Sequence, residues 1–267
     1  MAGVSSRGPF AAWLLASLAI LALAPAASSA APPTWSSRIA AARRYASGRE
    51  GAVAFAVVGE RGRLHGFHAR ETAPAASVFK VMLLAALLRK RHDSGLSPTD
   101  RALLGPMIRR SDSVAATTVR NIVGRRRIER LARVAGMRDF HYEWVWGESR
   151  TSPRDEAEFM YRLRSYIPGR YRHYAMGLLA RIVPSQRWGV GRVAPPGWRL
   201  FFKGGWGSGS GRVDHQVALL ERGHRKLAIA VFTQFDPDHA YGKRTLRGVF
   251  ARLLRGLALS PDEGKRG

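Results

Sequence analysis

The chain has 267 residues, 46% of them hydrophobic, enough for a buried core in one large domain or two small ones and inconsistent with disorder throughout. It contains no cysteine, which excludes disulfides, thiol nucleophiles, thiolate metal sites and haem attached through cysteine. The formal net charge of +25 comes from 44 basic residues, only six of them lysine. The arginines are spread along the chain and no nucleic-acid module is recognisable, so the charge reads as a solvated basic surface and no nucleic-acid partner is expected.

Residues 1–31 read as an export signal: Arg7, an apolar run over Phe10 to Ala24, and small residues ending in Ser28-Ser29-Ala30. The run of about 15 residues is shorter than the roughly 20 a membrane-spanning helix needs. Residues 32–267 are then expected as one domain in the periplasm or cell envelope. The polyanions available to a basic surface there are wall polymers and lipid headgroups, weakly held.

After Pro32-Pro33, Trp35 to Ala46 has helical character and closes near Gly48. Ala52 to Val58 and Arg63 to Phe67 read as a hairpin around Glu60-Arg61-Gly62. Ser77 follows a loop, and Val81 to Leu88 is so continuously apolar that its helix must be buried nearly all round. Helical signals then dominate a lobe over about 81–195. Ser111-Asp112-Ser113 opens one helix, Arg127 to Ala135 forms another ending at Gly136, and Ser152 caps a third with Pro153 at its first position. Arg199 to Lys203, Arg212 to Leu220 and Lys226 to Thr233 read as strands, and a last helix is expected over Lys243 to Leu257. The fold class is α+β: an antiparallel sheet built from N- and C-terminal strands, flanked by helices, with an inserted all-helical lobe.

Two of the six lysines stand in short motifs, Ser77-Val78-Phe79-Lys80 and Lys203-Gly204-Gly205. Arginine keeps its proton in proteins, whereas a desolvated lysine can become a base near neutral pH. Ser77 and Lys80, three apart at the start of a helix, share a face. They are either a helix cap with a surface lysine or a serine nucleophile with its base. A cation in the first turn opposes the helix dipole, and so apolar a helix leaves little exposed surface, which favours the second. Ser111-Asp112-Ser113 by itself reads as a cap. The glycines after Lys203 lack the Gly-Lys-Ser/Thr and following helix of a nucleotide loop. They form either a flexible hairpin or a close backbone approach that aims an amide at an acyl oxygen. The eight histidines show no metal-ligand spacing, and His215 reads as structural.

The order Ser-x-x-Lys, Ser-Asp-x and Lys-Gly-Gly resembles the penicillin-recognising serine enzymes, most closely the class A β-lactamases. Thr151-Ser152-Pro153-Arg154-Asp155 is similar to the segment after that family's omega loop, and the resemblance spans nearly all of residues 32–267. It implies Ser77 as acylated nucleophile, Lys80 as its base, and Ser111 as the group that passes a proton to the leaving nitrogen. It implies that Lys203 holds the proton path and the substrate carboxylate, with Ser113, Gly204, Gly205 and Trp206 lining the substrate and oxyanion region. The backbone amides of Ser77 and Trp206 would form the oxyanion hole. No cofactor or metal is implied.

Ser113 replaces the usual asparagine and Gly204 a hydroxyl residue. The omega-loop glutamate that activates the deacylating water is missing, and Gly136 to Thr151 is too short for the full loop. Glu143 and Glu148 are the nearby carboxylates that could substitute. The implied function is a secreted monomeric serine hydrolase acting on β-lactams or peptidoglycan-like peptides. The alternatives are an acyl-trapping or slow DD-peptidase-like protein and a non-catalytic basic envelope protein.

Overall fold

The structure, a computed structural model, is described for residues 2–3, 33–207 and 212–257. The expected export signal, apart from Ala2 and Gly3, and the Gly/Ser stretch 208–211 lie outside those residues. Helix α1 (Trp35–Ser47) is capped by Thr34, whose hydroxyl accepts from Ser37 N at 3.2 Å. Strands β1 (Ala52–Val58) and β2 (Leu64–Phe67) follow as the expected hairpin, and the two-residue strand β3 (Ala73–Pro74) leads into a 3₁₀ turn over Ala76–Phe79. The helices α2 (Lys80–Lys90), α3 (Pro98–Arg109), α4 (Ser113–Val123) and α5 (Arg125–Ala135) come next. Strand β4 (Arg150–Thr151) pairs with β3. Helices α6 (Pro153–Tyr161), α7 (Leu163–Tyr166) and α8 (Gly169–Ala180) follow. Strands β5 (Arg199–Gly207), β6 (Val213–Arg222) and β7 (Arg225–Gln234) and helix α9 (His239–Leu253) end the described chain.

The five-stranded sheet is antiparallel in the order β2-β1-β7-β6-β5, so strands from both ends of the chain meet at the β1–β7 seam. Helices α1 and α9 pack on each other and onto the sheet, while α6 packs on β1, β6 and β7. The central strands are consequently buried over most of their length. Every residue of α2 from Lys80 to Leu88 is buried, as its unbroken apolar run requires. No helix among the described residues is long and apolar enough to cross a membrane.

Local chemistry sets the helix starts. Ser152 caps α6 by accepting from Asp155 N at 3.2 Å. Gly136 ends α5 in the left-handed region, φ 73°. Within the expected cap Ser111-Asp112-Ser113 it is Asp112 that caps α4, accepting from Ala115 N at 2.8 Å and leaving the Ser111 hydroxyl to other partners. Two boundaries differ from expectation. Strand β5 continues past Lys203 to Gly207 because its ladder with β6 persists through the glycines to the pair Gly207 and Val213. Helix α9 starts at His239, where Asp238 provides a cap 2.6 Å from Tyr241 N, and ends at Leu253.

Candidate active site

The buried start of α2 brings together side chains from three elements. Ala76, immediately before Ser77, has φ 44°, and Ser111 has φ 60°. Non-glycine residues in this region carry a steric cost of about 1–2 kcal/mol, so the surrounding packing must impose both conformations. The hydroxyl of Ser77 makes no cap hydrogen bond to the helix. It accepts from Lys80 Nζ at 2.8 Å. Lys80 Nζ also donates to Ser111 O at 2.6 Å, with Ser111 Oγ at 3.2 Å and Ser113 Oγ at 3.4 Å.

From the edge strand β5, Lys203 Nζ reaches the same Ser111 Oγ at 2.8 Å and its neighbour's carbonyl, Gly204 O, at 2.7 Å. Ser111 Oγ therefore bridges two lysines. Both side chains are fully buried. Burial lowers the Lys80 amine to about 7, only partly opposed by the charge of Asp112. Lys203 is held well below its ordinary value by burial and then by the repulsion of Lys80.

The glycines of β5 have specific work. A Cβ on Gly205 would lie 2.7 Å from Ser77 N and 2.9 Å from Val78 N, so only glycine lets the strand lie against the serine turn. A Cβ on Gly204 would lie 2.9 Å from the Trp188 ring, which fills the side where the resemblance places a hydroxyl. Trp188 is held in turn by buried Gln216. Its Nε2 donates to Trp188 O at 2.9 Å, and its Oε1 accepts from Val190 N at 2.8 Å. Trp206 packs edge-on against Trp188 with centroids 5.8 Å apart, and its ring centre is 6.0 Å from Lys203 Nζ.

The shortened segment between α5 and β4 closes the other side. Ala75 N donates to Ser149 O at 2.7 Å. The Trp146 ring lies 4.8 Å from Lys80 Nζ, tethered by Nε1–H to Thr117 Oγ1 at 3.0 Å. Neither candidate carboxylate is among the hydrogen-bond partners of Ser77 or Lys80. Glu143 faces His141 at 3.6 Å and is half exposed, and Glu148 ends the 3₁₀ turn Trp146–Glu148.

His215 is buried and stacked on Phe232, with Nε2 3.1 Å from Pro74 O and Nδ1 accepting from Thr233 N at 3.2 Å. Burial lowers it to about 4, so it is a neutral structural imidazole. Among the described residues no group of three or more His, Asp and Glu is placed to hold a metal ion. The structure thus brings Ser77, Lys80, Ser111, Ser113, Lys203, Gly204, Gly205 and Trp206 into one cluster. Trp146 and Trp188 complete it without any sequence signal, because their roles arise from contacts between distant segments; Gln216 lies in the segment Asp214-His215-Gln216-Val217-Ala218, which resembles the stretch that follows the family's third motif.

A hydroxyl with a buried amine beside it, on an antiparallel sheet flanked by helices, defines the α+β class of β-lactamase-like folds. The sequence model of the beta-lactamase enzyme family matches residues 91–255, and the chain belongs to that family. The matched stretch includes Ser111 and Lys203 and begins after Ser77 and Lys80. No curated protein matches the sequence significantly.

Among solved structures, a β-lactamase from Sphaerobacter thermophilus is similar at 21% identity, with a TM-score of 0.71 over 83% of this chain and 97% of that one. A β-lactamase from Xanthomonas campestris gives 17% identity and a TM-score of 0.71 over 82% and 96%. A class A β-lactamase from Mycobacterium abscessus gives 18% and 0.69 over 81% and 98%. These likenesses establish the fold.

Proposed function

We propose that residues 32–267 form an exported serine hydrolase that is acylated at Ser77 by β-lactams or by related amides of wall peptides. The observation that carries this reading is the 2.8 Å contact between Ser77 Oγ and a buried Lys80 amine whose pKa is lowered to about 7. Neutral Lys80 takes the Ser77 proton as Oγ attacks the amide carbonyl, forming the C–O bond. The oxyanion is stabilised by the backbone amides of Ser77 and Trp206, an effect worth about 3–4 kcal/mol per donor. The proton passes from Lys80 through Ser111 to the leaving nitrogen, the C–N bond breaks, and an ester at Ser77 remains. Lys203 keeps the Ser111 hydroxyl oriented, and an anionic group on the substrate would favour its protonated form and be held by it.

Deacylation needs water to add to that ester. Glu143 and Glu148 are the carboxylates of the shortened segment that stands in place of the omega loop, and neither hydrogen-bonds the centre, which favours slow turnover and a long-lived acyl-enzyme. Stopped-flow measurement with nitrocefin tests this. A stoichiometric burst followed by a slow steady state, both absent in Ser77→Ala, is expected. Absence of any burst across β-lactams and acyl-peptides would favour a non-catalytic envelope protein. The charge at Arg7 and the apolar run over Phe10 to Ala24 support export, and signal cleavage near Ala30 is checked by N-terminal sequencing of the secreted protein.

A further inference from the structure

The abundance of arginine makes a basic surface unremarkable, but one large cavity gathers four arginines and a histidine with no acid in its lining. It has a volume of about 770 Å³ and lies between α8, the segment 194–198 and the start of β5. Arg164, His173, Arg181, Arg187 and Arg199 line it, and no Asp or Glu does. Among the described residues, Arg164 is the lining cation with a carboxylate partner, through two bonds of 2.7 and 2.8 Å to Glu221, which stands outside the lining.

Ring and backbone contacts lie beside the guanidinium groups. Those of Arg199 and Arg164 lie 5.2 and 5.6 Å from the Phe201 ring centre, and that of Arg187 lies 5.4 Å from Phe202. Arg187 also donates to Ala180 O at 3.3 Å. The Arg181 guanidinium rests on the bare backbone of Gly177, where a Cβ would come within 3.0 Å of it. The Arg181, Arg187 and Arg199 guanidinium forks, with no carboxylate in the cavity lining, are suited to the tetrahedral oxygens of phosphate. The volume exceeds what a bare ion fills, and the Trp198 and Phe201 side chains add an apolar wall.

We propose that this cavity is a binding site for an organic phosphate, a phosphomonoester or phosphodiester, separate from the serine centre. Arg199 precedes Lys203 by four strand residues, about 13 Å along β5.

The test is calorimetric titration of the full protein with glycerol phosphate at fixed ionic strength, for wild type, Arg181→Gln/Arg199→Gln, and the control Arg126→Gln/Arg133→Gln on the solvent face of α5. The expected result is saturable binding weakened at least tenfold in the cavity variant and little changed in the control. Equal affinity in the cavity variant and wild type overturns the proposal. Amide shifts in the wild type give a check that needs no mutation: glycerol phosphate should move Gly177, Gly191 and Gly197, and no movement there contradicts the site.

Sedimentation with phosphatidylglycerol vesicles separates the sources. Loss of vesicle binding in the cavity variant assigns a lipid headgroup, and unchanged vesicle binding alongside lost glycerol phosphate binding assigns a soluble or polymer-borne ester. Acylation at Ser77 should be unaffected by the cavity variant.

Discussion

Replacing Lys80 with methionine should abolish acylation and yet stabilise the protein at neutral pH, by an amount that fades as the solution becomes alkaline. The amine is lowered from 10.5 to about 7 and its side chain is 0% exposed, so no solvent screening softens the effect. Between those two values the unfolded chain keeps a proton that the folded protein sheds, so wild-type stability rises with pH across that window. At 1.36 kcal/mol per pKa unit the penalty is about 4 kcal/mol at pH 7 and about 2 kcal/mol at pH 9. Methionine removes that penalty but leaves Ser111 O and Ser77 Oγ without their donor, a pH-independent loss of about 1–3 kcal/mol.

The net gain at pH 7 is therefore small, and the diagnostic quantity is its change with pH. The advantage of Lys80→Met over wild type should shrink by about 2 kcal/mol from pH 7 to pH 9. Lys203, relieved of its charged neighbour, moves the difference in the same direction. Urea unfolding followed by tryptophan fluorescence at both pH values measures it. Parallel stability curves for variant and wild type would refute the depressed amine.

If Lys80 is the base, the acylation rate in wild type should climb with pH through about 7, because only the amine that has lost its proton can accept one from Ser77. A flat profile between pH 5 and 9, read by stopped-flow, would contradict it. Gly205→Ala should cut acylation at least a hundredfold while lowering the melting temperature by only a few degrees, since its Cβ would push β5 off the Ser77 and Val78 amides. Wild-type rates in that variant would show that the close approach is unimportant.

Glu156→Gln should stabilise the protein at pH 8 relative to pH 5. Glu156 is buried and raised to about 8, so the folded state holds a proton that the unfolded chain releases above about 4.5, and wild-type stability falls across that range. Denaturation at the two pH values checks this, and equal gains at both would contradict it.

Much of this arrangement is legible in the sequence because it is local. Ser77 and Lys80 meet through one turn of helix, Ser152 and Pro153 announce α6, and the apolar run after Lys80 can belong only to a buried helix. What escapes is set by contacts between distant segments. Strand β5 runs on through Lys203-Gly204-Gly205 because β6 pairs with it, overriding the turn preference of glycine. The reason Gly204 stands where a hydroxyl is expected appears only once Trp188, held by Gln216, is seen beside it. Of the Ser111-Asp112-Ser113 cap, Asp112 takes the helix amide while Ser111 turns its hydroxyl to Lys203, a division of roles set by the distant strand β5. The lysine pair depends on α2, the 110–113 turn and β5 converging, which no single segment encodes.

The most direct test of the serine assignment is tandem mass spectrometry of peptides from protein incubated with benzylpenicillin. The account predicts a penicilloyl group on the peptide containing Ser77 and none in Ser77→Ala. An adduct on another residue, or one that survives in Ser77→Ala, would contradict it.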